Sequence, residues 1–300
     1  MRFINFFSNK YKDQNFIELL KGSSISLILR VIGMMFGLLS MFFVTNNYGS
    51  DSWGLHTLCF TILGILTIVP KFGFDNSLVR IISELNLSTK RQEIKNVLEK
   101  SIFLSIVLSL FIIILTLFCS DYLVEKIIKS PQIKPLIKVI CFAIFPMVIL
   151  TIISAYFQAI KQIAKHVLFQ TAAINICFFF LLIVFHFTNV AIPIFEIYFI
   201  SIILILIISS IYFISSLKEK NYLKEKNELK KKYYLKDIVK ISFPMLLSTS
   251  FALLMGWSDI IIISFYKTTS DIGIYDSALK LSTLSGIFLI AINSIATPKF

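Results

Sequence analysis

"GSDSWGLHTL" occupies residues 49–58, and a related stretch, "TSDIGIYDSAL", occupies residues 269–279. Each is a short polar segment, then a glycine, then the start of a long apolar run. Aligning Gly54 with Gly273 gives an offset of 219 residues. What that offset means depends on what lies between the copies, and most of it is apolar.

The 300-residue chain is 57% hydrophobic and 15% charged, with a mean hydropathy of +0.84. Soluble domains carry ~25% charged residues, and a chain of this length has no interior large enough to hold the surplus. Its main solvent is therefore lipid. Spanning ~30 Å of hydrocarbon takes about 20 apolar residues in a helix, because lipid offers no partner to an unpaired backbone amide. Eight such spans are predicted, near 22–44, 54–76, 101–118, 135–158, 166–187, 194–215, 239–265 and 276–298. The fold class is an all-α, multi-pass helical bundle.

A net charge of +12 could suggest nucleic acid. The basic residues, however, sit in gaps between apolar runs instead of interleaving with aromatics on one face, so nucleic acid is not the expected partner. With the N-terminus inside, the predicted inner loops hold twenty Lys and Arg and the outer loops five (Lys126, Lys129, Lys134, Lys138, Lys267), which predicts a cytoplasmic N-terminus. The basic start "MRFINFFSNKYK" lacks a small-residue cleavage site after the first apolar run, which is read as a retained span. Cys59, Cys119, Cys141 and Cys177 lie in or beside apolar segments without a CxxC, so neither a disulfide framework nor a metal site is expected.

Six spans precede the second copy of the glycine motif, and both copies fall at the outer start of the second helix of a pair. A six-helix unit repeated in parallel orientation accounts for this register. The expected division is a cytoplasmic N-terminal segment (1–21), a first six-helix lobe (22–215), a basic cytoplasmic linker (216–238) and the first two helices of a second lobe (239–300). A complete second unit predicts a whole of about 430 residues or more, so this sequence reads as a fragment or a truncated product. The linker, "SLKEKNYLKEKNELKKKYYLKD", reads as lying against anionic headgroups. The glycines of the two motifs are read as allowing tight turns into a helix.

Polar groups inside a membrane are costly, so each asks for a partner or a water-filled cavity. In span one, Ser23, Ser26, Arg30, Gly33 and Gly37 share one helical face, expected to look into the bundle. Arg30 either faces a cavity or snorkels to the inner interface, and Gly33 and Gly37 either pack tightly or serve a gate. Lys71, Asp75 and Arg80 are placed at an inner mouth. In span seven, Pro244 can bend the helix as part of a gate, and Asp259 is either functional or paired with Lys280. Asp276 and Lys280 form an i, i+4 pair expected to be solvated near the outer surface, although Lys280 stays among the cavity residues. His56 reads as an interfacial polar residue. The sequence shows no nucleotide fingerprint, HExxH or GxSxG, so no enzyme and no catalytic residue is expected.

"KGSSISLILRVIGMMFGLLSMFFVTNNYGSDSWGLHTL", "KFGFDNSLVRIISE" and "PMLLSTSFALLMGWSDIIIISFYKTTSDIGIYDSALKLS" resemble the polysaccharide transporter branch of the multidrug/oligosaccharidyl-lipid/polysaccharide exporter superfamily, the O-antigen and capsule flippases. The resemblance implies 12 to 14 helices in two six-helix lobes around a central cavity. It implies transfer of an undecaprenyl-pyrophosphate-linked oligosaccharide across the bacterial cytoplasmic membrane by alternating access. Ser26, Arg30, Lys71, Asp75, Arg80, Asp259 and Lys280 would then be the cavity residues, and Pro244, Gly33 and Gly37 the gating ones. It implies no cofactor, leaves coupling to a proton or sodium gradient open, and names membrane lipids, a polysaccharide polymerase and chain-length proteins as partners. The alternatives are a drug or cation antiporter using Asp75 and Asp259, a non-transporting truncated product, and a membrane-embedded glycan polymerase or ligase, disfavoured by short outer loops.

Overall fold

The computed structural model describes residues 14–87, 91–120, 133–188, 190, 192–219, 233–284 and 286. The described residues are helical with short connections, and they contain no strand. The first helical stretch, Gln14–Leu66, is 53 residues long and is broken at Gly49, where φ is 86° and ψ is 164°. That backbone region is open only to glycine. Its two halves are α1 (14–48) and α2 (50–66), and the chain reverses between them. Phe43 on α1 and His56 on α2 reach the neighbouring rings Phe179 and Phe178 of one later helix, so residues 13 apart in sequence lie at similar depth.

After α2 comes a single turn, α3 (Ile68–Lys71), then α4 (Phe74–Leu87). Two left-handed residues in a row, Phe72 at φ 48° and Gly73 at φ 69°, separate them. The second span therefore stops earlier than the apolar pattern to residue 76 predicts, and Asp75 and Arg80 belong to a separate helix. α4 buries Phe74, Leu78, Ile81, Ile82 and Leu85, an i, i+4, i+7, i+8, i+11 stripe, against α6. Its opposite face carries the exposed ion pair Arg80–Glu84 at 3.3 Å.

α5 runs Arg91–Phe118, ten residues longer at its start than the predicted span, because hydropathy registers the apolar part and not its charged extension. α6 (Leu136–Ala159) is the most buried helix, and its apolar side chains belong to the main core. α7 covers Ile163–Phe187 and contains a π-helical turn at Leu168–Ala172. α8 is Ile194–Glu219, α9 is Leu235–Tyr266 with Pro244 inside it, and α10 is Thr269–Thr283. Of the predicted linker, residues 220–232 lie outside the described residues, and its flanks are helical: α8 continues to Glu219 and α9 starts at Leu235. The far part of the eighth span lies outside them too.

Six helical stretches among the described residues are long and apolar enough to cross a membrane. The first of them, Ser24–Leu66, counts as two crossings once Gly49 reverses it, and α10 is the start of another. The result is a multi-pass helical membrane protein of about eight spans, as the sequence predicts. α1 and α7 run parallel and in contact: Gly33 meets Ala172, Gly37 meets Asn175, and Tyr48 Oη lies 3.1 Å from His186 Nδ1. A Cβ at Gly33 would sit 2.9 Å from Ala172 Cα, so Gly33 permits close helix approach.

One end of the bundle holds Gly49 and Lys267 and is here the junction end. The other, the basic end, holds Lys71, Arg80, Lys100 and Tyr233. At the basic end, α9 seats on the α3–α4 break: Ser242 Oγ donates to Ser77 Oγ at 2.7 Å, and a Cβ on Gly73 would lie 2.5 Å from Leu246 N. Lys100 and Glu93 on α5 bind the backbone of Tyr233 just before α9.

Candidate functional site

The two glycine motifs touch each other. A Cβ on Gly54 would run into the carbonyl oxygen of Thr269, and a Cβ on Gly273 would run into that of Ser50. Thr269 precedes Gly273 by four residues and Ser50 precedes Gly54 by four, so each glycine receives the backbone one turn before the other. This is a reciprocal contact between α2 and α10, of the kind two equivalent surfaces make across a two-fold axis. Around it, Ser50 Oγ and Ser270 Oγ are 2.7 Å apart, and Thr269 Oγ1 donates to Asp51. The tight turn assigned to Gly54 is instead made by Gly49, and the second copy starts its helix with a capping box. There Asp271 Oδ2 accepts from Thr268 N at 3.0 Å and Thr268 Oγ1 accepts from Asp271 N at 3.3 Å.

Directly beneath this contact lies a cavity of about 390 Å³ between α1, α2, α7, α9 and α10, with Met147 of α6 and Tyr198 of α8 also in its lining. That falls within the ~300–1,000 Å³ of ordinary ligand sites. Part of the wall is polar, with Gln170, Thr171 and Asn175 from α7 and Thr57 and Thr61 from α2. The π turn widens α7 at this point, and such turns concentrate at functional sites. Asn175 Nδ2 donates to Gly33 O at 3.0 Å, which ties the polar wall to α1.

Another part is aromatic. Trp53, His56, Phe60, Phe178 and Tyr198 all line the cavity, and His56 stacks on Phe178 at 5.1 Å with an interplanar angle of 18°. His56 is 6% exposed and its Nδ1 has no hydrogen-bond partner, so it is a cavity-wall residue and not the interfacial group its neighbours in sequence suggest. The Trp257 ring on α9 packs against Gly64, where a Cβ would push it aside.

Three donors converge on a single carboxylate oxygen in this cavity. Asp276 Oδ2 accepts from Trp53 Nε1 at 2.9 Å and Thr57 Oγ1 at 3.1 Å, and Lys280 Nζ stands 3.2 Å away. The Lys280 ammonium also sits 4.2 Å from the Trp53 ring centroid, a cation–π contact. Asp276 is 5% exposed. Of the pair read as solvated, Asp276 is thus buried and Lys280 is half-buried at the cavity wall, because α10 presses its first two turns onto α2.

The other sequence candidates are dispersed. Lys280 lines the cavity, while Arg30 is exposed on α1 one turn before the lining residue Met34. Ser26 is buried a further turn back. Lys71 and Asp75 flank the Phe72–Gly73 turn at the basic end, and Asp75 Oδ1 is buried without a hydrogen-bond partner. Arg80 is held by Glu84 outside the lining. Asp259 does not pair with Lys280; it accepts from Tyr275 Oη at 2.9 Å. Gly37 lines the cavity, Gly33 packs behind it, and Pro244 is exposed on α9 at its contact with Gly73. Among the described residues, no cluster of His, Cys, Asp and Glu could hold a metal.

This arrangement is the fold of the MATE transporters of the MOP superfamily. A MATE in complex with MaD3S superposes with a TM-score of 0.65 at 17% identity, covering 93% of this chain and 63% of its own. An outward-facing multidrug resistance MATE family transporter gives 0.64 at 18%, covering 92% and 63%. A MOP superfamily transporter from Pyrococcus furiosus, described as having a binding pocket of reverse polarity, gives 0.57 at 17%, covering 91% and 68%. The chain thus spans about 63% of the length of the first two. No curated protein matches it. Its sequence matches the profile of the polysaccharide biosynthesis protein family over residues 19–300, and the chain belongs to that family.

Proposed function

We propose that the protein is a flippase that moves a polyprenyl-pyrophosphate-linked oligosaccharide, an undecaprenyl-linked surface-polysaccharide unit, across the bacterial cytoplasmic membrane by alternating access. The observation that carries this reading is the composition of the cavity. Hydroxyl and amide groups line it together with aromatic rings, and the charged side chains of its lining, Asp276 and Lys280, neutralise each other. A sugar presents hydroxyls at its rim and C–H groups on its faces, so such a wall can satisfy both. Burying those hydroxyls in hydrocarbon without partners would cost several kcal/mol in total, and a cavity removes that cost while the lipid tail stays outside. A drug or cation antiporter calls for an unmatched carboxylate facing the cavity, whereas Asp75 and Asp259 are not among its lining residues.

In this reading the junction end faces outward and the basic end faces the cytoplasm with its anionic headgroups. Arg30, exposed one turn from Met34, is the cation we assign to the pyrophosphate on its way in. The test uses the full-length protein in proteoliposomes with a fluorescent lipid-linked oligosaccharide. Gln170→Leu combined with Thr171→Val, both exposed to the cavity, should lower the flipping rate about tenfold or more with unchanged protein yield. Unchanged flipping by that variant, or transport of a lipophilic cation in place of the lipid-linked sugar, would overturn the reading.

A further inference from the structure

Trp53 Nε1, Thr57 Oγ1 and Lys280 Nζ all point at one oxygen, and all three residues line the cavity. Two neutral donors and an ammonium converging on one point make an anion site, of the kind used for phosphate and carboxylate oxygens. Here a side chain of the protein occupies it. The occupant, Asp276, lies one helical turn beyond Gly273, and two of its donors flank Gly54 on α2. The bonds that fill the anion site are therefore also bonds that hold α2 against α10 at the junction end.

We propose that Asp276 is an internal stand-in for a substrate diphosphate: it occupies the cavity's anion site in the empty protein, and its displacement by that anion releases the α2–α10 contact. The proposal rests on the flippase reading for its ligand class, but not for the latch itself. A diphosphate arriving at Lys280 takes over the ammonium and brings negative charge beside the carboxylate. Like charges at this separation repel strongly where water is scarce. Asp276 then leaves Trp53 and Thr57, and the remaining ties are the Ser50–Ser270 and Asp51–Thr269 hydrogen bonds, the glycine contact and the apolar cluster that holds Leu58 and Ile272. Other titratable or charged groups near the site are His56 and Tyr198 on the aromatic wall. No proton movement is needed, only exchange of one anion for another.

The geometry supplies two readouts. Ser50 Oγ and Ser270 Oγ are 2.7 Å apart, so Ser50→Cys with Ser270→Cys, in a full-length protein lacking Cys59, Cys119, Cys141 and Cys177, reports closure by its rate of disulfide formation. The two tryptophans of the sequence, Trp53 and Trp257, both line the cavity, so their fluorescence reports occupancy. Farnesyl pyrophosphate and inorganic pyrophosphate are the probes; a response to both assigns recognition to the diphosphate, and a response to the first alone assigns it to the lipid-linked form.

With Asp276 present, a bound probe should change the fluorescence and slow the 50–270 disulfide about tenfold. Asp276→Asn keeps an acceptor for Trp53 and Thr57 but frees Lys280, so it should bind the probe and leave the disulfide rate indifferent to it. Asp276→Ala should slow the disulfide without any probe. A probe that binds without changing the disulfide rate would overturn the latch, as would an Asp276→Asn protein that responds like its parent, or an Asp276→Ala protein that closes at the parental rate. Absence of any fluorescence response would count against the flippase reading instead, and the latch would still be judged by the Asp276→Ala rate.

Discussion

The reciprocal glycine contact permits a quantitative test. Placing a methyl group on Gly54 puts a carbon 2.8 Å from both Gly273 N and Thr269 C, where an ordinary contact needs 3.4 Å or more, and closer still to the Thr269 oxygen. Those are backbone atoms, which cannot rotate aside as a side-chain tip can. Overpacking of this kind costs ~1–3 kcal/mol, while replacing glycine by alanine inside a helix returns ~0.5–1 kcal/mol. That return is the same whether α2 and α10 are together or apart, so the clash alone counts, and ~1–3 kcal/mol shifts a two-state equilibrium about 5- to 150-fold. The shift should favour states with α2 and α10 apart at the junction end, measurable as a longer spin-label distance between positions 48 and 266, both exposed. Gly256 is the control: it is helical, nothing stands within 4 Å of its missing Cβ, and Gly256→Ala should leave the distance unchanged. Gly273→Ala should act like Gly54→Ala, and the double variant should add less than the second single change, because the helices have already separated. If Gly54→Ala and Gly273→Ala were indistinguishable from Gly256→Ala, the close approach would carry no energy and the reasoning would fail.

Two further expectations follow from the backbone and the charge pattern. Gly49→Ala forces a side chain onto φ 86°, ψ 164°, at a cost of order 1–3 kcal/mol, and should lower the thermal midpoint of the detergent-solubilised protein; an unchanged midpoint would show that the turn relaxes. For orientation, a membrane-impermeant maleimide should label Lys267→Cys from outside and Arg80→Cys only after permeabilisation, with the native cysteines removed; the opposite pattern would invert the proposed topology.

Among the described residues a helix stands at each span that hydropathy predicts, the eighth only at its start, because the cost of an unpaired amide in lipid leaves few alternatives to a long apolar helix. What hydropathy missed were features set by neighbours instead of by local composition. Pro70 and Gly73 signal an end to the second span near the break at Phe72, but not that the chain resumes at once as a separate helix carrying Asp75 and Arg80. The i, i+4 spacing of Asp276 and Lys280 announced a pair, but its depth depends on how closely α10 approaches α2, and that closeness resides in two glycines 219 residues apart. Likewise, Asp259 found Tyr275, one helix on, because helical spacing assigns a face without saying what stands opposite. The cavity's polar wall was the least legible: Gln170, Thr171 and Asn175 carry no charge to draw notice, and the π turn that displays them has no recognisable sequence.

The single-residue connection at Gly49 has a mechanical consequence. One residue offers only two soft torsions, so α1 and α2 have no slack between them and cannot slide past each other like helices joined by a long loop. If α2 tilts away from α10, α1 has to swing as the other arm of the same lever. That arm carries Met34, Gly37 and Leu38, part of the cavity wall, with Arg30 one turn further on. Loosening at one face of the membrane would thus reshape the approach from the opposite face, and a longer insertion after Gly49 should uncouple the two movements while leaving each helix intact.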